Sequence, residues 1–144
     1  MFLLLKLHEG VRASAAEAFA LVSDPSRIPA WRPEILAVSG VTGRGVGARY
    51  DEEIAFMGRQ LQTFEVVEHV PDHAFAVRAV GGFALRPTQR YRIDPSTDGT
   101  TRISYDIELP VEGRFVAIWP MLALMIPRAW RSYAGHLAEL LGAA

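Results

Sequence analysis

Hydrophobic and polar residues alternate along most of the chain from Ile35 to Leu109. In the last of these runs, single polar residues separate Ile103, Tyr105 and Ile107. Successive side chains of a strand point to opposite faces, so this pattern is typical of an antiparallel sheet with one buried face and one wet face. Residues 3–11 alternate in the same way, and we expect them to form a first strand.

After residue 114 the hydrophobic pattern changes to a helical period. At ~100° per residue, the large apolar side chains fall on one stripe of a helix. They are Phe115, Trp119, Leu122, Ile126, Trp130, Tyr133, Leu137 and Leu140. Pro127 lacks the N–H that would bond to Ala123, so we expect a bend there. The pattern predicts one long C-terminal helix with a wide apolar face.

Two short helices are expected between the first two strands. Ser14-Ala-Ala-Glu17 has the spacing of a capping box, in which the serine side chain accepts a hydrogen bond from the N–H three residues later. That helix stops before Asp24-Pro25, and the following turn-forming stretch has Trp31 as its one large apolar anchor. No repeat, linker or low-complexity tract interrupts the chain, so residues 1–144 are predicted to form one domain.

Composition and charge exclude several classes of partner. The formal charge is -1 and there is no block of basic residues, so we expect no nucleic-acid partner. The apolar start Met1–Leu5 is interrupted by Lys6, which argues against a secretory signal. The longest apolar run, Phe115–Pro127, is shorter than the ~20 residues that cross a bilayer. We therefore expect a cytoplasmic protein with no integral membrane span.

Metal and cofactor sites are not indicated either. Cysteine is absent, and none of the four histidines has the spacing that places two imidazoles on one metal. The glycine-rich segment 43–47 invites comparison with a phosphate-binding loop. However, the residues after it alternate like a strand instead of opening a helix, which favours a β-turn. We expect neither a metal nor a cofactor.

Several polar side chains fall on the apolar side of the predicted elements. By alternation Glu52, Gln89, Tyr91 and Tyr105 point to the buried face of the sheet, and Tyr133 lies on the apolar helix stripe. Burying an unpaired carboxylate or amide costs several kcal/mol. These groups therefore pair with one another in the core, reach the edge of the sheet, or line a wet cavity. A further interpretation for Glu52 is a strand bulge that turns it outward.

The whole chain resembles the polyketide cyclase/dehydrase-like branch of the START/Bet v 1-like superfamily, also called SRPBCC. The resemblance is carried by "ASAAEAFALVSDPSRIPAWRPEI", by "GRGVGARY", by the Phe64-Glu-Val-Val-Glu strand ending in Pro71-Asp72, and by the long terminal helix. It implies an α+β helix-grip fold. In this fold a curved antiparallel seven-stranded sheet wraps a long C-terminal helix, and two short helices lie between strands 1 and 2. It also implies a deep apolar cavity between sheet and helix.

With that resemblance, the inward-facing residues are predicted to contact a ligand. The predicted ligand-binding residues are Ile54, Phe56, Phe64, Val77, Gln89, Tyr91, Tyr105, Leu122, Ile126, Trp130 and Tyr133. The favoured function is binding or carriage of a small hydrophobic molecule such as a lipid, polyketide or aromatic compound. This function needs only shape and an apolar lining.

Two other functions remain open. A polyketide cyclase/dehydrase-type enzyme needs an acid or base within reach of the substrate, and Glu52 with Tyr91 or Tyr105 is the set that the pattern offers. The superfamily shares no catalytic set, so the resemblance assigns none. A protein-interaction module is the third function. Met121 and Leu124 project away from the apolar stripe, so they are either scattered exposed apolar side chains or part of a contact surface for a homodimer, a membrane or another partner.

Overall fold

Seven strands form one antiparallel sheet in the computed structural model, which describes residues 1–144. The strands are β1 (Phe2–Val11), β2 (Ile35–Thr42), β3 (Arg49–Ala55), β4 (Arg59–Val70), β5 (Ala74–Gly82), β6 (Thr88–Pro95) and β7 (Thr101–Pro110). Their order in the sheet is β1-β7-β6-β5-β4-β3-β2. Strands β2 to β7 therefore follow one another across the sheet in sequence order, and β7 also pairs with β1, so β1 and β2 form the two edges.

The sheet curves because its strands are not regular throughout. Two irregularities interrupt the register between β4 and β5, one at Thr63/Phe64 and one between Val66 and Glu68. A bulge bends its strand and increases the local twist. The inner face of the curved sheet holds the apolar members of each alternating run, as the period-two pattern predicts.

Three helices complete the structure: α1 (Ala15–Val22), α2 (Ile28–Trp31) and α3 (Trp119–Leu141). Short 3-10 turns at Pro25–Arg27 and Gly113–Ile118 precede α2 and α3. The predicted cap of α1 is confirmed, since the amide of Glu17 donates to the Ser14 hydroxyl at 3.1 Å. The Glu17 carboxylate in turn accepts from that hydroxyl at 3.2 Å.

The long helix α3 buries one side against the sheet, in the helix-grip arrangement. Its buried residues are Leu122, Trp130, Tyr133, Ala134, Leu137 and Ala138. Phe115 is buried too, but it belongs to the 3-10 turn before the helix. Leu140 is 52% exposed, so the buried stripe ends at Leu137 and the prediction was wrong for the final turn.

The core has two parts of unequal size. The larger part joins α1, α2 and the second half of α3 to the inner face of the sheet, and it contains Trp31 and most of the buried aromatic rings. The smaller part lies around the start of α3 and comprises Leu3, Leu85, Leu109, Val111, Phe115 and Leu122. Ile126 packs against both parts, which places it at their junction.

The outer side of α3 faces away from the sheet. Met121 is 40% exposed and Leu124 is 56% exposed, in agreement with their position off the apolar stripe. Homodimer formation through this surface stays a prediction. None of the three helices combines the length and hydropathy needed to cross a membrane.

Candidate ligand-binding cavity

A cavity of about 210 Å³ lies between the middle of α3 and one end of the sheet. Twelve of its seventeen lining residues are hydrophobic. The lining residues are Arg32, Glu34, Ile54, Ala55, Phe56, Gln62, Phe83, Leu85, Pro87, Gln89, Ile107, Leu109, Met125, Ile126, Ala129, Trp130 and Tyr133. A benzene molecule occupies an apolar cavity of roughly 150 Å³, and drug-sized ligands need roughly 300 Å³ or more. The volume therefore suits a compact ligand of one or two rings.

Two larger grooves have a different character. One, of about 600 Å³, lies between the 23–26 turn and the glycine-rich loop, and five of its fourteen lining residues are hydrophobic. The other, of about 710 Å³, lies near Arg86 and Arg114 and has two hydrophobic residues among seven. Because apolar ligands require apolar walls, the smaller cavity is the better candidate site.

Six of the eleven predicted ligand-binding residues line this cavity. They are Ile54, Phe56, Gln89, Ile126, Trp130 and Tyr133. The other five are buried and do not line this cavity. They are Phe64, Val77, Tyr91, Tyr105 and Leu122.

The predicted residues and the cavity wall differ in depth along the strands, because the predicted strand residues are on the buried face but lie deeper in the core. On three strands the cavity wall is two residues away from the predicted contact. The wall has Gln62 where Phe64 was predicted, Gln89 beside the predicted Tyr91, and Ile107 where Tyr105 was predicted. Alternation tells which side chains point inward, but it does not tell where along the strand the core stops and the cavity begins. Leu122 lies past the other end of the cavity, in the smaller core cluster.

The three candidate catalytic residues do not line the cavity. Tyr91 donates a hydrogen bond to Gln89 at 2.8 Å, and the hydroxyl of Tyr105 is buried without a partner. Burial raises the pKa of both tyrosines. Glu52 is 1% exposed and forms an ion pair, so no bulge turns it outward. The set of Glu52 with Tyr91 or Tyr105 is therefore not placed to reach a ligand in this cavity.

A buried ion pair lies at one side of the cavity. Nη1 of Arg32 lies 3.3 Å from Oε2 of Glu52, and the two side chains are 5% and 1% exposed. The guanidinium carbon of Arg32 also lies 4.9 Å from the ring centroid of Trp130 and 5.4 Å from that of Tyr133. The faces of the two aromatic rings therefore stabilise the cation.

The pKa values of both partners of the ion pair are raised. Burial lowers the pKa of Arg32, but the charge of Glu52 and the nearby tyrosines outweigh it, so the pKa is raised. Burial raises the pKa of Glu52 above its usual range, although the charge and hydrogen bond of Arg32 oppose the shift. Taking either charge out of water is expensive, and each partner compensates the other.

The remaining polar groups of the wall have unused hydrogen-bonding capacity. The Oε1 atom of Gln89 accepts from Tyr91, which leaves the amide nitrogen as a donor. The Oε2 atom of Glu34 has no hydrogen-bond partner. Burial raises the pKa of Tyr133, Arg32 opposes this, and the charge of Glu34 adds to it. The cavity thus has an apolar body and a polar end that offers both donors and an acceptor.

The family is decided by sequence comparison. The family described as polyketide cyclase / dehydrase and lipid transport matches residues 8–142. The chain belongs to this family. It is thereby a member of the START/Bet v 1-like superfamily, and no curated protein matches it.

Solved structures of this superfamily share the fold. A START superfamily protein from Mycobacterium smegmatis has a TM-score of 0.77 at 20% identity, with 96% of each chain covered. The Zhui aromatase/cyclase from a Streptomyces species has a TM-score of 0.83 at 11% identity, over 98% of this chain and 94% of that one. Norcoclaurine synthase from Thalictrum flavum, in complex with dopamine and hydroxybenzaldehyde, has a TM-score of 0.70 at 18% identity, over 97% and 86%. At these identities the likeness establishes the helix-grip fold.

Sequence reasoning missed the charged residues that line this cavity. Arg32 and Glu34 lie around Pro33, directly after the predicted anchor Trp31, in a segment with no periodicity. The inward position of Glu52 was a usable signal, because a buried carboxylate requires a partner. It did not identify which of the cations on the chain supplies that partner. No group of three or more histidine or acidic side chains is placed to hold a metal ion.

Proposed function

We propose that this protein binds a small hydrophobic molecule in the cavity between α3 and the sheet. The observation that carries the proposal is the cavity itself, of about 210 Å³ with twelve hydrophobic residues among seventeen. The side chains around an empty cavity lack the packing contacts that the rest of the core makes. An apolar ligand that enters the cavity gains dispersion contacts with these side chains, and its apolar surface is removed from water. Membership of a family described by cyclase, dehydrase and lipid-transport functions supports this proposal.

The position of Ile126 allows a direct test by filling the cavity. Ile126→Trp places a larger side chain in the wall, and we expect it to weaken binding of the uncharged fluorescent probe β-naphthol at least tenfold. Wild type should bind one probe per chain. The matched control is Leu124→Trp, which makes a similar change on the 56% exposed side of the same helix. Probe fluorescence and isothermal calorimetry provide the two readouts.

Overpacking a core costs typically ~1–3 kcal/mol, so the variant must first be shown to be folded. Far-ultraviolet circular dichroism and a thermal melt serve this purpose. Equal probe affinity in wild type and folded Ile126→Trp would show that the probe binds elsewhere. Loss of binding in Leu124→Trp as well would show that the effect does not come from filling this cavity.

A cyclase- or dehydrase-type reaction is the second candidate function. It is favoured by one observation: Glu34, whose Oε2 atom has no hydrogen-bond partner, lines the cavity together with Tyr133 and is close enough for its charge to raise the pKa of Tyr133. A carboxylate in this position is a proton acceptor for a bound ligand, and Tyr133 carries a hydroxyl that can return a proton. Glu34 and Tyr133 therefore replace Glu52, Tyr91 and Tyr105 as the candidate acid/base residues.

Loss of water from an aromatic β-hydroxyketone tests this second function. The adduct of benzaldehyde and acetone loses its hydroxyl and an adjacent hydrogen to give a conjugated enone that absorbs in the near ultraviolet. We expect Glu34→Gln to lower the rate about 100-fold, the effect of removing a general base. Glu53→Gln, which removes a carboxylate from the outer face of β3, should leave the rate unchanged. Equal rates in Glu34→Gln and wild type would exclude Glu34 as the base.

A further inference from the structure

The polar end of the cavity combines one buried cation with two carboxylates. Arg32 and Glu34 line the cavity, and Glu52 lies behind Arg32. We propose that this arrangement selects uncharged carbonyl-bearing aromatic compounds over the corresponding carboxylates, and that Glu52 is the residue that sets the selection. The inference rests on the proposed binding function and specifies the ligand class of the same cavity.

Unused hydrogen-bond donors of Arg32 are the first reason for this selectivity. A guanidinium carries five N–H donors, and in this structure Nη1 is used by Glu52 whereas Nε has no partner. The rings of Trp130 and Tyr133, 4.9 Å and 5.4 Å from the guanidinium carbon, hold the group in place. Arg32 lines the cavity, and its ion pair leaves donors of the guanidinium unused.

Gln89 adds a second donor at the same end of the cavity. It is 2% exposed, and the Tyr91 hydroxyl donates to its Oε1 atom at 2.8 Å. This contact orients the amide, so the NH₂ group remains for another acceptor. A ligand with a carbonyl oxygen satisfies such donors, whereas a pure hydrocarbon leaves them unpaired.

The net charge of the site is the second reason for this selectivity. A buried guanidinium alone would attract a carboxylate ligand through paired charge-assisted hydrogen bonds. Here Glu52 already occupies that position at 3.3 Å and neutralises the cation. Glu34 contributes a further carboxylate to the wall. An anionic ligand would lose its hydration and meet a site whose charges sum to a negative value, so an uncharged acceptor is preferred.

Three ligands of similar shape separate these contributions: ethylbenzene, acetophenone and benzoate. At neutral pH we expect wild type to bind acetophenone at least fivefold more tightly than ethylbenzene, and at least tenfold more tightly than benzoate. Glu52→Gln keeps an acceptor for Arg32 but removes the negative charge. We expect the affinity for benzoate to rise at least tenfold relative to acetophenone in this variant. Isothermal calorimetry or ligand-observed NMR measures the affinities.

Glu53→Gln is the matched control for the charge change. Glu53 is the next residue on β3 and pairs with Arg59 on the outer face of the sheet, where both side chains are more exposed. The Glu53→Gln substitution should leave the ratio of benzoate to acetophenone affinity unchanged.

A second variant, Gln89→Leu, tests the role of the Gln89 donor without altering the ion pair. In Gln89→Leu, the affinity for acetophenone should fall at least fivefold relative to the affinity for ethylbenzene.

Each outcome has a distinct meaning. Comparable binding of benzoate and acetophenone by wild type would overturn the selectivity, whether or not Glu52→Gln folds. An unchanged ratio in folded Glu52→Gln would overturn the role of Glu52. If ethylbenzene and acetophenone both fail to bind, the proposed function itself is wrong, and this inference is overturned with it.

Discussion

Glu52→Leu is expected to lower the free energy of unfolding by about 3–5 kcal/mol, the cost of leaving one partner of a buried ion pair without its counter-charge. The Glu52 side chain is 1% exposed and that of Arg32 is 5% exposed, so little water is available to solvate the guanidinium that remains. The rings of Trp130 and Tyr133 stabilise the cation only in part. Urea or thermal unfolding of the variant measures the loss.

The double variant Arg32→Met/Glu52→Leu provides the control. With both charges removed, we expect most of the lost stability to return, because an apolar pair avoids desolvating two ions. The Arg59–Glu53 pair offers a second comparison. It is shorter, at 3.1 Å, but its side chains are 78% and 34% exposed, so breaking it should cost less than ~1 kcal/mol. Equal losses from the two pairs would contradict the assigned burial of Arg32.

Trp130→Ala is the second change with a large expected effect, a loss of ~3–5 kcal/mol. Trp130 is 5% exposed and its ring lies at the centre of an aromatic group, 6.4 Å from Trp31 and 5.2 Å from Tyr133. It also packs under the Arg32 guanidinium. Truncation removes all of these contacts and enlarges the cavity.

Leu124→Ala, on the exposed side of the same helix, is the control and should change stability by no more than ~0.5 kcal/mol. Chemical denaturation followed by circular dichroism measures the change in stability of both variants. A loss below about 1 kcal/mol for Trp130→Ala would show that the apolar stripe of α3 is not packed against the sheet.

Much of the fold could be predicted because its cause is local. The period-two runs that end in residues such as Ile107 indicated strands with one buried face, and the Ser14 cap indicated the start of α1. In the candidate site, periodicity placed the side chains of Ile54, Ile126 and Trp130 on inward faces, and the family resemblance implied a cavity there. Each of these residues lies on the inward face of a regular element.

The rest of the site depends on contacts between residues far apart in sequence. Arg32 lies in an irregular segment after α2, where no period assigns its direction, and its partner Glu52 is twenty residues further on. Tyr91 and Gln89 are both inward-facing on β6, but only Gln89 lines the cavity. That difference reflects how far the larger core cluster extends along the sheet.

The amino-acid sequence by itself determined the antiparallel sheet, the long helix α3 and which face of each is apolar, because periodicity is a property of neighbouring residues. It also placed Glu52 on the inward side of the alternating pattern, where a carboxylate needs a partner unless a bulge turns it outward. Only the tertiary structure decided that Arg32 supplies the counter-charge, at 3.3 Å, and that the cavity lies beyond Tyr91 and Tyr105. Both depend on how the curved sheet closes around α3, and packing in three dimensions leaves no periodic signal in the chain.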